Sequence, residues 1–200
     1  MTKRMRRHRS GMGAEEFAAR LAANQEYQRG LAAFEEEHDE KVAGWREAEI
    51  PLVAELRAVG VEVDSVWDLV TTDAPYPSAL PVLIRYLEDG ELPDRVLEGV
   101  GRALAVVPAI EFWDRLVALV KSAPGAGQAE GSAVALAACA TADQIDDLVL
   151  IVTKEKRRSE HIFFLRPILK SGGDRGRALL EALDSDPVLA IEAQALLDGG

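Results

Sequence analysis

Cysteine is nearly absent from this 200-residue chain: Cys139 stands alone, which excludes an intramolecular disulfide. It lies in the Ala-rich run Ala133–Ala140, the setting of a small buried apolar residue. A reactive thiol needs a nearby base, and none is evident. Histidine is scarce too. His8, His38 and His161 are far apart, and no His-x-x-x-His or Cys/His pairing occurs, so no zinc site is legible. No apolar run approaches the roughly 20 residues that span a bilayer. There is no Gly-x-Ser-x-Gly elbow and no phosphate-loop motif. Gly125-Ala126-Gly127 reads as a flexible link. No catalytic set, cofactor site or metal site is expected.

What is present favours helix. Aromatic residues make up 6% of the chain and hydrophobic residues 48%, with Ala and Leu abundant and β-branched residues modest. The net charge is −11. Lys3, Arg4, Arg6, Arg7 and Arg9 carry five positive charges within the first nine residues, where there is no acid, so the remainder holds −16. Such a body repels nucleic acid and anionic lipid and attracts a basic protein. Residues 1–13 are expected to form a disordered basic arm. No apolar segment follows that arm, so a secretory signal is not expected and the cytoplasm is the expected compartment.

Residues 14–49 read as one long, charged helical segment, or two helices in series. Leu31, Phe34, His38, Lys41 or Val42, Trp45 and Ala48 follow 3–4 spacing and form one seam, which Gly30 and Gly44 weaken. The acidic run Glu35, Glu36, Glu37, Asp39, Glu40 invites a metal reading, but neighbouring residues on a helix point in different directions, so a solvated face is expected. The seam must bury against the rest of the chain or a second copy, which makes a homodimer through this segment one expectation.

From residue 50 a repeat of about 32 residues emerges. Leu83, Leu116, Leu148 and Leu180 are separated by 33, 32 and 32 residues, and Leu104, Leu136 and Ile168 by 32 and 32. Two series at one period imply two helices per unit. Residues 50–71 form a degenerate first pair, with Pro51 at a helix start, Gly60 as a stop and Asp64 or Ser65 as a cap. Unit one comprises Ser78–Leu87 and Asp94–Val106. Unit two comprises Glu111–Val120 and Gln128–Ala140. Unit three comprises Gln144–Val152 and Ser159–Lys170, capped at Thr141 or Asp143. Unit four begins at Asp174–Leu183, and Asp184-Ser185-Asp186-Pro187 starts its last helix.

The phrases Ser78-Ala79-Leu80-Pro81-Val82-Leu83-Ile84-Arg85-Tyr86-Leu87 and Arg95-Val96-Leu97-Glu98-Gly99-Val100-Gly101-Arg102-Ala103-Leu104 resemble HEAT-type repeats, especially the short bacterial kind grouped with phycobilin-lyase-like HEAT repeats. The resemblance covers about residues 74–198 and extends by expectation to 50–73, which makes residues 50–200 one repeat domain of a degenerate first pair and about four repeats. Pro167, Phe163 and Phe164 depart from the pattern. It implies an all-α HEAT-like α-α superhelix, a solenoid of antiparallel helix pairs that often serves as a protein-binding scaffold.

Two constellations carry functional readings. Lys154, Lys156, Arg157, Arg158, His161, Arg166 and Lys170 cluster on an otherwise acidic chain. With Ile162, Leu165 and Ile168 or Leu169 as the buried stripe, Phe164 points outward beside Arg157 and His161, as an interface anchor does. Arg102 aligns with Arg166 two units on, so the second helices are expected to share a binding face. The candidate set is therefore Arg102, Arg157, Arg158, His161, Phe164 and Arg166. The second constellation is Trp-Asp, at Trp67-Asp68 and Trp113-Asp114. It keeps open an enzyme of HEAT-like fold, DNA-glycosylase-like or chromophore-lyase-like, although packing under helix starts explains it as well. The leading expectation is a non-catalytic scaffold or adaptor for a protein partner, with a basic partner such as a nuclease toxin, neutralised by the acidic solenoid, as one form of it; nucleic-acid and membrane binding are not expected.

Overall fold

The computed structural model describes residues 13–15, 17, 18, 24–155 and 159–199, and all regular structure among them is helical. Two compact units, Met1–Gly44 and Trp45–Gly200, divide the chain. The basic arm expected over residues 1–13 falls, but for Gly13, outside the described residues.

Helix α1 (Gln25–Ala48) begins at Asn24, whose side-chain oxygen accepts a hydrogen bond from the Tyr27 N–H at 3.2 Å. This is an N-cap: a short polar side chain satisfies one of the donors that a helix start leaves open. Lys41 pairs with Glu37 one turn earlier at 2.6 Å, and the Phe34 ring stacks on His38. Tyr27, Leu31 and Phe34 are exposed.

The second unit holds the core. Trp45 packs against it, and Glu49 is buried. Helix α2 (Ile50–Ala58) carries Pro51 in its first turn and stops before Gly60, whose φ of 84° suits a residue without Cβ. The cap of the short helix α3 (Trp67–Thr71) differs from expectation. The Glu49 carboxylate accepts from the Ser65 hydroxyl at 3.0 Å and the Val66 N–H at 3.1 Å, so a residue 17 positions upstream closes this start. Ser65 contributes only a 3.3 Å contact from the Trp67 N–H.

Four helix pairs follow among the described residues: α4 (Leu80–Asp89) with α5 (Asp94–Ala103), α6 (Trp113–Ser122) with α7 (Ala126–Cys139), α8 (Ile145–Lys154) with α9 (Ile162–Ser171), and α10 (Gly173–Glu181) with α11 (Ala190–Gly199). Three-residue 3-10 turns open α4, α8 and α9, and a six-residue 3-10 segment, Val107–Phe112, opens α6. A capping box at Thr141 and Gln144 starts the third pair. The Asp186 carboxylate accepts from the N–H groups of Val188 and Leu189, both at 2.9 Å, ahead of α11. The second helices pack in series, α5 on α7, α7 on α9 and α9 on α11. Both 32-residue series are core: Leu83, Leu116, Leu148, Leu180, Leu104, Leu136 and Ile168 are all buried.

The closest packing joins α5 to α7. A Cβ at Gly101 would sit 2.2 Å from the Gly131 backbone, and one at Gly127 would sit 1.8 Å from the Asp94 carbonyl oxygen. The Gly127 N–H also donates to the Asp94 carboxylate at 3.0 Å. Gly125-Ala126-Gly127 is thus no flexible link: it is the start of α7, and at Gly127 the two backbones touch so closely that no Cβ fits.

The first helices are joined by polar side chains. Arg85 of α4 pairs with Glu55 of α2, and Arg115 of α6 with Glu88 of α4 at 2.7 Å. The Trp113 indole N–H donates to Asp147 of α8 at 2.9 Å, and Arg175 of α10 pairs with Asp146. Hydrogen bonding to Arg115 holds the Glu88 carboxyl below the usual glutamate value.

Gly101→Ala and Gly127→Ala are expected to destabilise the fold by at least about 1–3 kcal/mol each, the range for overpacking, because the clash is with backbone. Gly44→Ala meets open space inside a helix. It should strengthen α1 by up to about 1 kcal/mol. Denaturant titration followed by circular dichroism measures all three. Because the folded-state value of Glu88 is depressed, its contribution is present above the unfolded pKa near 4.5 and lost as pH falls through the folded value. Glu88→Gln should therefore narrow its stability gap from the parent protein as the solution is acidified.

Candidate interaction groove

The second helices present an open groove of about 390 Å³. Val134, Ala137 and Ala138 of α7 form one wall, Ile162, Phe163, Arg166 and Pro167 of α9 the other, and Glu192 of α11 closes one side. The spacing explains the walls. On α7, residues 134, 137 and 138 are separated by helical steps of three and four and share a face. On α9, the buried stripe is His161, Phe164, Leu165 and Ile168, which leaves 162, 163, 166 and 167 to the groove.

The groove is apolar with a charge on either side. Neither the Arg166 guanidinium nor the Glu192 carboxylate has a hydrogen-bond or ion-pair partner among the described residues. Pro167 continues the helix but has no N–H, so the Phe163 carbonyl lacks its usual helical donor. The groove therefore offers apolar area, one cation and one anion.

The expected site residues divide. Arg166 lies in the groove. Arg102 is on the second helices as anticipated, but it is engaged: Nε meets Glu98 at 2.8 Å and Nη2 meets Glu130 of α7 at 2.6 Å. Glu130 is one turn before Val134, so the ion pair and the groove lie along one face of α7. Arg157 and Arg158 fall outside the described residues. Phe164 and His161 require correction as outward-facing anchors. Phe164 is fully buried, with its ring centroid 5.8 Å from that of His161, itself 1% exposed. The reason is the width of the buried face. Helix α9 packs against α7, α8, α10 and α11, so its core stripe extends beyond Leu165 and Ile168 to Phe164. Phe163, half-buried, is the aromatic that the groove presents. No periodicity argument singled it out, because two adjacent phenylalanines leave the choice to the helix's rotation about its axis.

The Trp-Asp dipeptides serve local structure. The Arg95 guanidinium lies 3.9 Å from the Trp67 ring centroid, and the ring closes on Gly99. Asp68 accepts from the N–H groups of Asp64 and Ser65. Trp113 is spent on Asp147, and Asp114 is an exposed acid in the first turn of α6. Burial pushes the Cys139 thiol up to about 11, far from the thiolate a nucleophile needs. Among the described residues no three metal-ligating side chains gather.

Comparison with protein families, curated proteins and solved structures finds no match to this chain.

Truncating the two neighbouring phenylalanines should separate core from groove. Phe164→Ala is expected to cost about 3–5 kcal/mol, the range for a fully buried aromatic. Phe163→Ala should cost markedly less, because its ring is already part solvated. Chemical denaturation of both variants reads the difference.

Proposed function

We propose that this protein is a non-catalytic, protein-binding scaffold of HEAT-like α-α superhelix type, and that the groove between α7, α9 and α11 receives the partner. The observation that carries this reading is the groove's composition: an apolar floor beside Arg166 and Glu192, two charges with no partner of their own among the described residues. A protein pays to keep an apolar channel open to water unless something fills it. An amphipathic helix has the matching chemistry. Its apolar stripe would lie along Val134, Ile162 and Phe163, with an acidic residue meeting Arg166 and a basic one meeting Glu192.

The serial packing of second helices and the buried 32-residue series support the HEAT-like part of the reading. The net charge of −11 favours a partner that is basic overall. An enzyme of HEAT-like fold has less behind it, since Trp67, Asp68 and Trp113 are occupied in local contacts.

The test is partner capture from native lysate with the intact protein and with Phe163→Ala and Arg166→Glu variants, each checked for an unchanged circular-dichroism spectrum. A partner retained by the intact chain and lost by at least about tenfold in affinity with either variant supports the groove. Equal capture by all three retires it. Binding to a basic partner should weaken as salt is raised, because ions screen exposed charge pairs.

A further inference from the structure

A second cavity lies among the loops that join successive helix pairs. It encloses about 270 Å³ between residues 72–77, which lead from α3 into α4, Leu80 of α4, and Val106 and Pro108 on the way from α5 to α6. Its shape is preformed. Pro75, Pro77 and Pro108 each lock one backbone torsion. The Tyr76 hydroxyl donates to the Ala103 carbonyl at 2.9 Å and lies 3.3 Å from that of Leu69, so the ring is held against α3 and the end of α5. The Thr72 hydroxyl is used within the wall, accepting from the Ala74 N–H at 3.2 Å. The lining is therefore apolar, with one charged residue. That residue, Asp73, is exposed and has no hydrogen-bond or ion-pair partner among the described residues.

We propose that this cavity binds a small organic amine: one apolar ring or branched chain carrying a single ammonium group. Size and wall chemistry set the apolar part. Ligand cavities commonly run about 300–1,000 Å³. At about 270 Å³ this one admits a ring with a short chain and is too small for a nucleotide or a fused-ring cofactor. Charge sets the ammonium. The adjoining cavity shares Thr72, Ala74, Pro75 and Tyr76 as walls and adds Glu62 and Asp68. Among the described residues, neither cavity has Lys, Arg or His in its lining. Apolar walls beside an unpaired carboxylate concentrate cations and repel anions. An amine that buries its ring against Leu80 and Val106 can set its charge at Asp73. No residue of this cavity lines the groove between α7, α9 and α11, so this site and the protein-binding groove stand or fall separately.

The test is a titration of the full chain with phenethylamine, followed by amide-resolved NMR. Neutral phenethyl alcohol and anionic phenylpropionate, which share the ring, are titrated alongside. The amine should move the amides of Thr72, Asp73, Ala74, Tyr76, Leu80 and Val106 along saturable curves and leave those of the groove in place. It should bind more tightly than the alcohol by about fivefold, the upper range for one exposed charge pair, and the acid should bind least. Asp73→Asn, at an exposed loop position, should fold unchanged and bring amine and alcohol to equal affinity. Added salt should narrow their difference in the parent protein, because ions screen an exposed carboxylate. Absence of a saturable shift at these amides overturns the proposal. So does an alcohol or acid that binds as tightly as the amine, or a preference for the amine that survives Asp73→Asn.

Discussion

The second unit depends on how closely α5 and α7 approach. Glycines at positions 101, 127 and 131 let the two backbones come into van der Waals contact, with Asp94 reaching over to the Gly127 N–H. At that distance the helices exchange dispersion contacts along their main chains, which no larger residue would permit. Helix α7 then becomes the axis of the unit. It is buried on most sides, touched by α5, α6 and α9, and built from Ala, Gly and Ser because neighbours crowd it from several directions. The buried Gln128 ties it to α4 as well, donating to the Leu87 carbonyl at 2.6 Å near that helix's end.

Around this axis the chemistry is divided between the two sets of helices. The first helices join one another through polar side chains: the ion pairs Glu55–Arg85, Glu88–Arg115 and Asp146–Arg175, and the hydrogen bond from the Trp113 indole N–H to Asp147. Each exposed pair is worth little alone, on the order of 0–1 kcal/mol. Their recurrence at successive interfaces pins the register of one pair on the next. The second helices meet through apolar and small residues and the Arg102–Glu130 ion pair, and where α9 leaves Ile162 and Phe163 only partly covered at the edge of the core, the surface opens into a groove.

Helix α1 obeys a different rule. A side-chain cap and an i,i+4 ion pair support it, and Tyr27, Leu31 and Phe34 are exposed, while Trp45 near its end packs on the core. The charged residues Glu35, Glu36, Glu37, Asp39 and Glu40 are exposed, as are Tyr27, Leu31 and Phe34 on one face.

Much of the architecture was legible from spacing. The 32-residue leucine series marked the core because a residue repeated at the same point of each helix pair must meet the same layer. Pro51, Gly60, Thr141 and Asp186 marked helix ends because capping and left-handed backbone are local properties of single residues. The sequence by itself thus determined where helices form, how they alternate and which leucines are buried. It did not determine rotation or long-range closure. Whether Phe163 or Phe164 faces out depended on how many neighbours α9 packs against, and whether Arg102 is available depended on Glu130 arriving from the next pair. The Glu49 cap on Val66 and the glycine contact of α5 with α7 are of the same kind. Each joins residues far apart in the chain, and only the packed structure brings their atoms to contact distance.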